Sequence, residues 1–196
     1  MASTFSMGIL YLTTISMTSI PLIVDKKEGL YERSVVSGVT SLEVLSSYIL
    51  THVVFVAMQA SVILTIAFEV FNMQNNGSIL LVIILLLLQG ISGMSLGLLI
   101  SCMCNEGGFT VMLSTILFFP GIAFGGMMWT ILSMPDYLHT ISVAFPHTLA
   151  TESMRWISLR GKDLSWHKVW PGFLATIAWI MGLTILSLIV MKFKRF

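Results

Sequence analysis

The sequence predicts an all-α, polytopic membrane protein: one domain over residues 1–196, with five transmembrane helices, a short cytoplasmic helix and a further helical segment on the outer side. Composition is the first reason. Hydrophobic residues make up 56% of the chain and Asp, Glu, Lys and Arg only 10%, against about 25% charged in an average soluble domain. A soluble globule of this size cannot bury so much apolar surface, and a disordered chain needs the opposite composition. The second reason is distribution. The apolar residues fall in charge-free runs, each able to supply the roughly 20 residues that cross a hydrocarbon core as a helix. The third is charge: a net +1 leaves no concentrated basic face, so nucleic acid is not an expected partner.

The runs place spans at about 5–24, 44–70, 78–103, 109–131 and 170–191. The first run, Met1 to Val24, lacks the basic start of a secretory signal, and its Asp25-Lys26-Lys27 flank follows rather than precedes it. Next comes Asp25 to Glu43, whose first nine residues hold six of the chain's nineteen charges. After Gly29 it can be helical, with Tyr31, Val35 and Val39 recurring at i, i+4 and i+8 along one stripe. Glu28 and Glu32 stand four apart and repel by a few tenths of a kcal/mol, partly offset by Lys27 and Arg33. Such a segment suits either an amphipathic turn on lipid headgroups or a docking helix for a soluble partner.

A turn holding the glycosylation sequon Asn76-Gly77-Ser78 leads into the third span. Its opening, Ile79 to Leu88, reads ILLVIILLLL, which favours insertion by roughly 3 to 6 kcal/mol. Cys102 and Cys104 at its far end are too few for a disulfide framework and have no His nearby to complete a metal site. Gly93 and Gly97 in the third span, and Gly121 and Gly125 in the fourth, are small residues four apart that let helices approach closely in lipid, within one chain or across a dimer seam. Pro120 predicts a kink or an end in the fourth span. The outer segment Ser133 to Lys168 carries Pro135 and Pro146, with Trp156, Trp166 and the neighbouring Trp170 suited to the membrane boundary. Within it, His147 to Leu159 reads as a short amphipathic helix pairing Glu152 with Arg155 at i, i+3. His139, His147 and His167 are dispersed, so no metal site is expected.

Five spans put the termini on opposite sides. Lys26, Lys27, Arg33, Lys192, Lys194 and Arg195 give six basic residues on one side; Arg155, Arg160, Lys162 and Lys168 give four on the other. The six orient Asp25–Glu43 and the C-terminus toward the cytoplasm. Thr13, Thr14, Ser16, Thr18, His52, Gln59 and Gln89 are the polar residues within the spans, and the absence of mid-span charge argues against an ion-coupled pump.

Glu28-Gly29, Glu32-Arg33, Gly38-Val39 and Glu43 together resemble the first cytoplasmic loop of ABC-2-type permeases. Gly125-Gly126-Met127-Met128-Trp129, Met134-Pro135, Phe145-Pro146-His147-Thr148, Glu152 and Arg155 resemble the same family's outer re-entrant region. The resemblance runs over essentially the whole chain and is nearest to the G and H subfamilies of eukaryotic ABC half-transporters, the H type being the arthropod one. It implies an exporter of two six-span halves, each served by a nucleotide-binding domain that holds ATP and Mg2+, with no cofactor on this chain. It implies coupling to that domain by Glu28, Gly29, Tyr31, Glu32 and Arg33. It implies a substrate path lined by Tyr11, Thr14, Met17 and Thr18 of the first span and by Met112, Ile116, Phe118 and Phe119 of the fourth. Met and Phe make adaptable apolar surface suited to lipids and amphipathic molecules. The resemblance also implies an outer gate that includes Glu152 and Arg155. The implied partners are the nucleotide-binding domain, a second half-transporter (identical or not) and membrane lipids, and the implied location is the plasma membrane. Five spans rather than six predict that the chain is a C-terminal fragment whose first span and ATPase domain lie upstream. Gly161-Lys162 is followed by Asp163 and lacks the leading glycine of a phosphate-binding loop, so no ATPase activity is expected of the chain itself. Two other classes remain open: a non-transporting membrane scaffold, and an intramembrane enzyme using His52 with Ser92 or Ser95.

Overall fold

A computed structural model describes residues 2–71, 76–104, 106–124 and 147–193, with residues 135, 140, 142 and 145. These form α1 (Ala2–Lys27), α2 (Leu30–Val36), α3 (Ser41–Thr65, continued by a π-helical turn, Ile66–Val70), α4 (Ile79–Met103), α5 (Gly107–Phe124), α6 (Thr148–Arg160) and α7 (Trp170–Phe193). No strand occurs among the described residues. Among the described residues, four helices are long and apolar enough to cross a membrane: Thr4–Asp25, Ser46–Val70, Ile79–Met103 and Trp170–Met191. Gly107–Ile122 is a shorter apolar stretch, and the part of the 109–131 span beyond 124 lies outside the described residues. Gly125 to Trp129 and Met134 lie there too.

α4 is the centre of the bundle, packing against α1, α3, α5, α6 and α7. Its closest neighbour is α1, and glycine is the reason. A Cβ on Gly93 would lie 2.9 Å from the Tyr11 carbonyl oxygen, and one on Gly97 would lie 2.8 Å from that of Ile15. In lipid, apolar burial supplies little drive between helices, so close backbone approach and dispersion hold the pair. The Gly93/Gly97 pair therefore serves packing within the chain. Around Gly121, by contrast, nothing stands within 4 Å among the described residues. α5 runs on through Pro120 to Phe124 rather than ending there.

Two apolar clusters fill opposite halves of the bundle. Met7, Leu10, Leu85, Leu86, Met154 and Ile157 pack at one end; Leu22, Met94, Leu98, Cys102 and Met191 pack at the other. The outward faces of α3 and α7 carry exposed Leu50, Val54, Met58, Val62, Met181 and Ile185, as lipid-facing helices should.

The short helix forms where expected but stops sooner. Gly29 at φ +68° breaks α1, and Gly38 at φ +93° follows α2, both in the left-handed region glycine tolerates. Val39 therefore falls outside α2, and the predicted Tyr31–Val35–Val39 stripe does not extend that far. Thr40 then caps α3: its hydroxyl accepts from the Glu43 amide while the Glu43 carboxylate accepts from the Thr40 amide at 2.8 Å.

The short helix expected over 147–159 forms as α6, and it is buried over most of its length: Ala150, Met154, Arg155, Trp156 and Ile157 are all enclosed, because α6 is wedged against α1, α4 and α7. Ser153 Oγ lies 2.9 Å from the Val169 carbonyl oxygen, and a Cβ on Gly172 would meet the Leu149 carbonyl oxygen at 2.7 Å. The Asn76 amide donates to the Ser158 carbonyl at 3.0 Å, tying the 76–78 turn to the same end.

Candidate coupling and translocation surfaces

At the α2 end, Glu28 and Arg33 are exposed, as is Val36. Gly29 sits at the α1–α2 break, and Tyr31 and Glu32 belong to α2, their side chains lying outside the described residues. α2 rests on α1. Between α1, α2 and α3 lies an open cleft of about 530 Å³. Tyr48 on α3 donates a hydrogen bond to the Asp25 carboxylate on α1. The Thr40 amide and hydroxyl bonds hold the Glu43 carboxyl below its ordinary pKa.

The eight residues predicted to line a path divide by the face they occupy. Tyr11, Thr14 and Thr18 are buried and turned to α4, where they meet Gly93 and Gly97. Thr14 Oγ1 lies 2.7 Å from the Leu10 carbonyl oxygen and 3.1 Å from Gln59 Oε1. Met17 points outward, and so do Met112, Ile116 and Phe119 of α5, which recur at i, i+4 and i+7 and share one face. The Phe118 side chain lies outside the described residues. α5 packs on α1, so these outward surfaces belong to neighbouring helices.

The predicted outer pair is assembled. Glu152 lies 3.9 Å from Arg155 and accepts a 2.9 Å hydrogen bond from Trp156 Nε1. Arg160 stacks 4.0 Å from the centre of the Trp156 ring. Deeper in, sequence reading missed a polar node. Gln89 Nε2 lies 3.0 Å from His147 Nδ1, and the Tyr11 ring stacks on that imidazole at 5.5 Å. Gln89 Oε1 and His147 Nε2 are buried without hydrogen-bond partners among the described residues. Burial pushes His147 down to about 4. Gln89 and His147 are 58 positions apart, and no local pattern links them.

Other chemistry finds little support in the geometry. Gly93-Met94-Ser95-Leu96-Gly97 spells the G-x-S-x-G of a nucleophile elbow, which requires a strand-to-helix turn. Here it lies within α4, with Ser95 Oγ donating to the Ile91 carbonyl at 3.0 Å. His52 stacks between Tyr48 and Phe55 rather than beside a serine. Gly161 is the left-handed cap of α6, and Lys162 lies 4.1 Å from the Trp166 ring centre, so this pair does not form a phosphate loop. Cys102 and Cys104 are buried and not joined in a disulfide. No cluster of three or more His, Cys, Asp or Glu suited to a metal ion occurs among the described residues.

Comparison with known proteins identifies the architecture. The ABC-2 type transporter family model matches residues 2–159. ABC transporter G family member 20 of Dictyostelium discoideum is 30% identical over 180 residues, covering 92% of this chain and 25% of that protein. ABC transporter G family member 23 of the same organism is 26% identical over 174 residues, 89% of this chain and 25% of the relative. The probable multidrug ABC transporter permease YbhR of Escherichia coli (strain K12) is 23% identical over 165 residues, 82% of this chain and 45% of the relative. The chain thus spans about a quarter of the length of the two Dictyostelium relatives and under half of the bacterial one. With its helical fold and four membrane-length helices, this chain belongs to the ABC-2 type transporter family as a multi-pass integral membrane domain.

Proposed function

We propose that the chain is the permease part of an ATP-driven ABC exporter that moves lipids or other amphipathic molecules across the plasma membrane, with its C-terminus in the cytoplasm. The observation that carries this reading is the family match over residues 2–159, which includes both the short helix between the first two spans and the buried outer helix. The permease domain is not itself catalytic. ATP and Mg2+ bind a nucleotide-binding domain, and α2 meets that domain through Glu28, Gly29, Tyr31, Glu32 and Arg33. Exposure of Glu28 and Arg33 supports this role.

A second half-transporter, identical or different, completes the pathway. Met17, Met112, Ile116, Phe118 and Phe119 meet the cargo, while Tyr11, Thr14 and Thr18 set the α1–α4 spacing behind them. Exposed Met and Phe support an apolar or amphipathic cargo, since flexible thioethers and rings adapt to varied shapes. Glu152 and Arg155 stabilise the outer gate. The test is reconstitution of the chain with a family nucleotide-binding domain in liposomes carrying a fluorescent phospholipid. The expected result is ATP-dependent movement of the probe between leaflets. ATP turnover with no movement of any amphipathic probe would overturn the reading.

A further inference from the structure

The cleft beneath α2 is distinct from the outward faces of α1 and α5, and its lining is chemically selective. It has room, at about 530 Å³, for a drug-sized molecule. Asp25 and Glu43 both line it, and no Lys or Arg does among the described residues. Glu43 remains a carboxylate at neutral pH because the Thr40 bonds favour its charged form. One wall is a ladder of rings on α3: Tyr48 stacks on His52 at 6.2 Å, and His52 lies 6.2 Å from Phe55. Aromatic faces attract cations and repel anions. His52 lines the same cleft at only 6% exposure, and no hydrogen bond to another described residue occupies its ring, which leaves the imidazole able to meet a ligand in the cleft. Leu30 and Val44 complete an apolar floor.

From this combination we infer that the cleft between α1, α2 and α3 binds an amphipathic organic cation, its ammonium lying between Asp25, Glu43 and His52 and its apolar body lying on Tyr48 and Phe55. A neutral lipid tail gains nothing from the two carboxylates, and an anion is repelled by them. The site needs neither nucleotide nor a second subunit, so it is separable from the transport reading.

The test uses the full chain in detergent, without ATP, and two fluorescent probes of equal size and opposite charge: dansylcadaverine and dansyl-aminohexanoate. The cation is expected to bind saturably with enhanced fluorescence, and the anion not to saturate. The Asp25→Asn/Glu43→Gln double variant keeps the hydrogen-bond acceptors of both side chains, so the cap and the Tyr48 bond persist. It is expected to weaken dansylcadaverine at least tenfold. Ser47→Phe, which fills the cleft from the exposed side of α3, is expected to abolish saturable binding and gives an independent reading should the double variant fail to fold. Equal affinity for both probes, or cation binding unchanged in either folded variant, would overturn the proposal.

Discussion

At the end of the bundle where α6 enters, polar groups turn toward neighbours: Glu152 to Trp156, Ser153 to Val169, Asn76 to Leu159 and His147 to Gln89. At the α2 end, Glu28, Arg33 and Val36 face outward, and a cleft remains open between helices. The first end is packed shut, even though Gln89 Oε1 and His147 Nε2 lack partners there among the described residues. The second leaves exposed charge available to a partner. Membrane proteins hold their spans by close approach and hydrogen bonding, so the end where the helices stay apart around an open cleft is where binding is to be sought.

The largest way to break the comparison is at the shared centre. Gly93→Leu with Gly97→Leu forces side chains into the Tyr11 and Ile15 carbonyls. Overpacking costs about 1–3 kcal/mol per site, so the double variant should lose its thermal transition and aggregate in detergent. An unchanged melting temperature would mean that α1 and α4 are not apposed here. This packing was legible, because glycines four apart have one well-understood use. Which residues of α1 turn toward it was not: Tyr11, Thr14, Met17 and Thr18 were grouped together, but the face each occupies depends on where α4 lies.

The closed end gives the next effect. His147 is held neutral in the fold, with a pKa depressed from 6.5 to about 4. A depressed histidine value means that the unfolded chain binds the proton more readily. Stability is therefore full above about 6.5 and falls as pH drops toward 4, by up to about 3 kcal/mol. Melting temperature measured from pH 7.5 to 4 should fall in wild type and much less in His147→Gln. Parallel curves would remove His147 from the packing of this end.

The amphipathic pattern of α6 predicts the helix but not the depth of its burial. Thr151 and Ser153 look polar in sequence, yet their hydroxyls reach back to the His147 and Leu149 carbonyls at 2.6 and 3.0 Å, so they enter the interior already satisfied. Arg160 and Lys162 mark the rim alone. The α2 end was legible in outline from its charge density and glycines, whereas the cleft beneath it depends on the angle at Gly29 and the cap at Thr40, which no periodicity encodes.

A smaller effect is expected at that cap. Thr40→Ala removes the hydroxyl that accepts from Glu43 and should cost about 1 kcal/mol, measured as a modest drop in thermal stability with spans intact. Sidedness sharpens the picture without altering stability. In a background lacking Cys102 and Cys104, Leu30→Cys should resist an impermeant outside reagent and react from the cytoplasmic side; outside labelling would invert the orientation.

The central claim, that α2 relays the ATPase cycle to the spans, is tested most directly by export and ATP hydrolysis measured side by side in the assembled transporter, for wild type and Glu32→Lys at matched expression. A charge reversal on α2 should leave insertion intact, because α2 lies outside the membrane-length helices. The account predicts continued ATP turnover with export reduced about 5- to 150-fold, corresponding to a typical 1–3 kcal/mol of coupling. Export at the wild-type rate would contradict it and return α2 to the role of a solvated connection between spans.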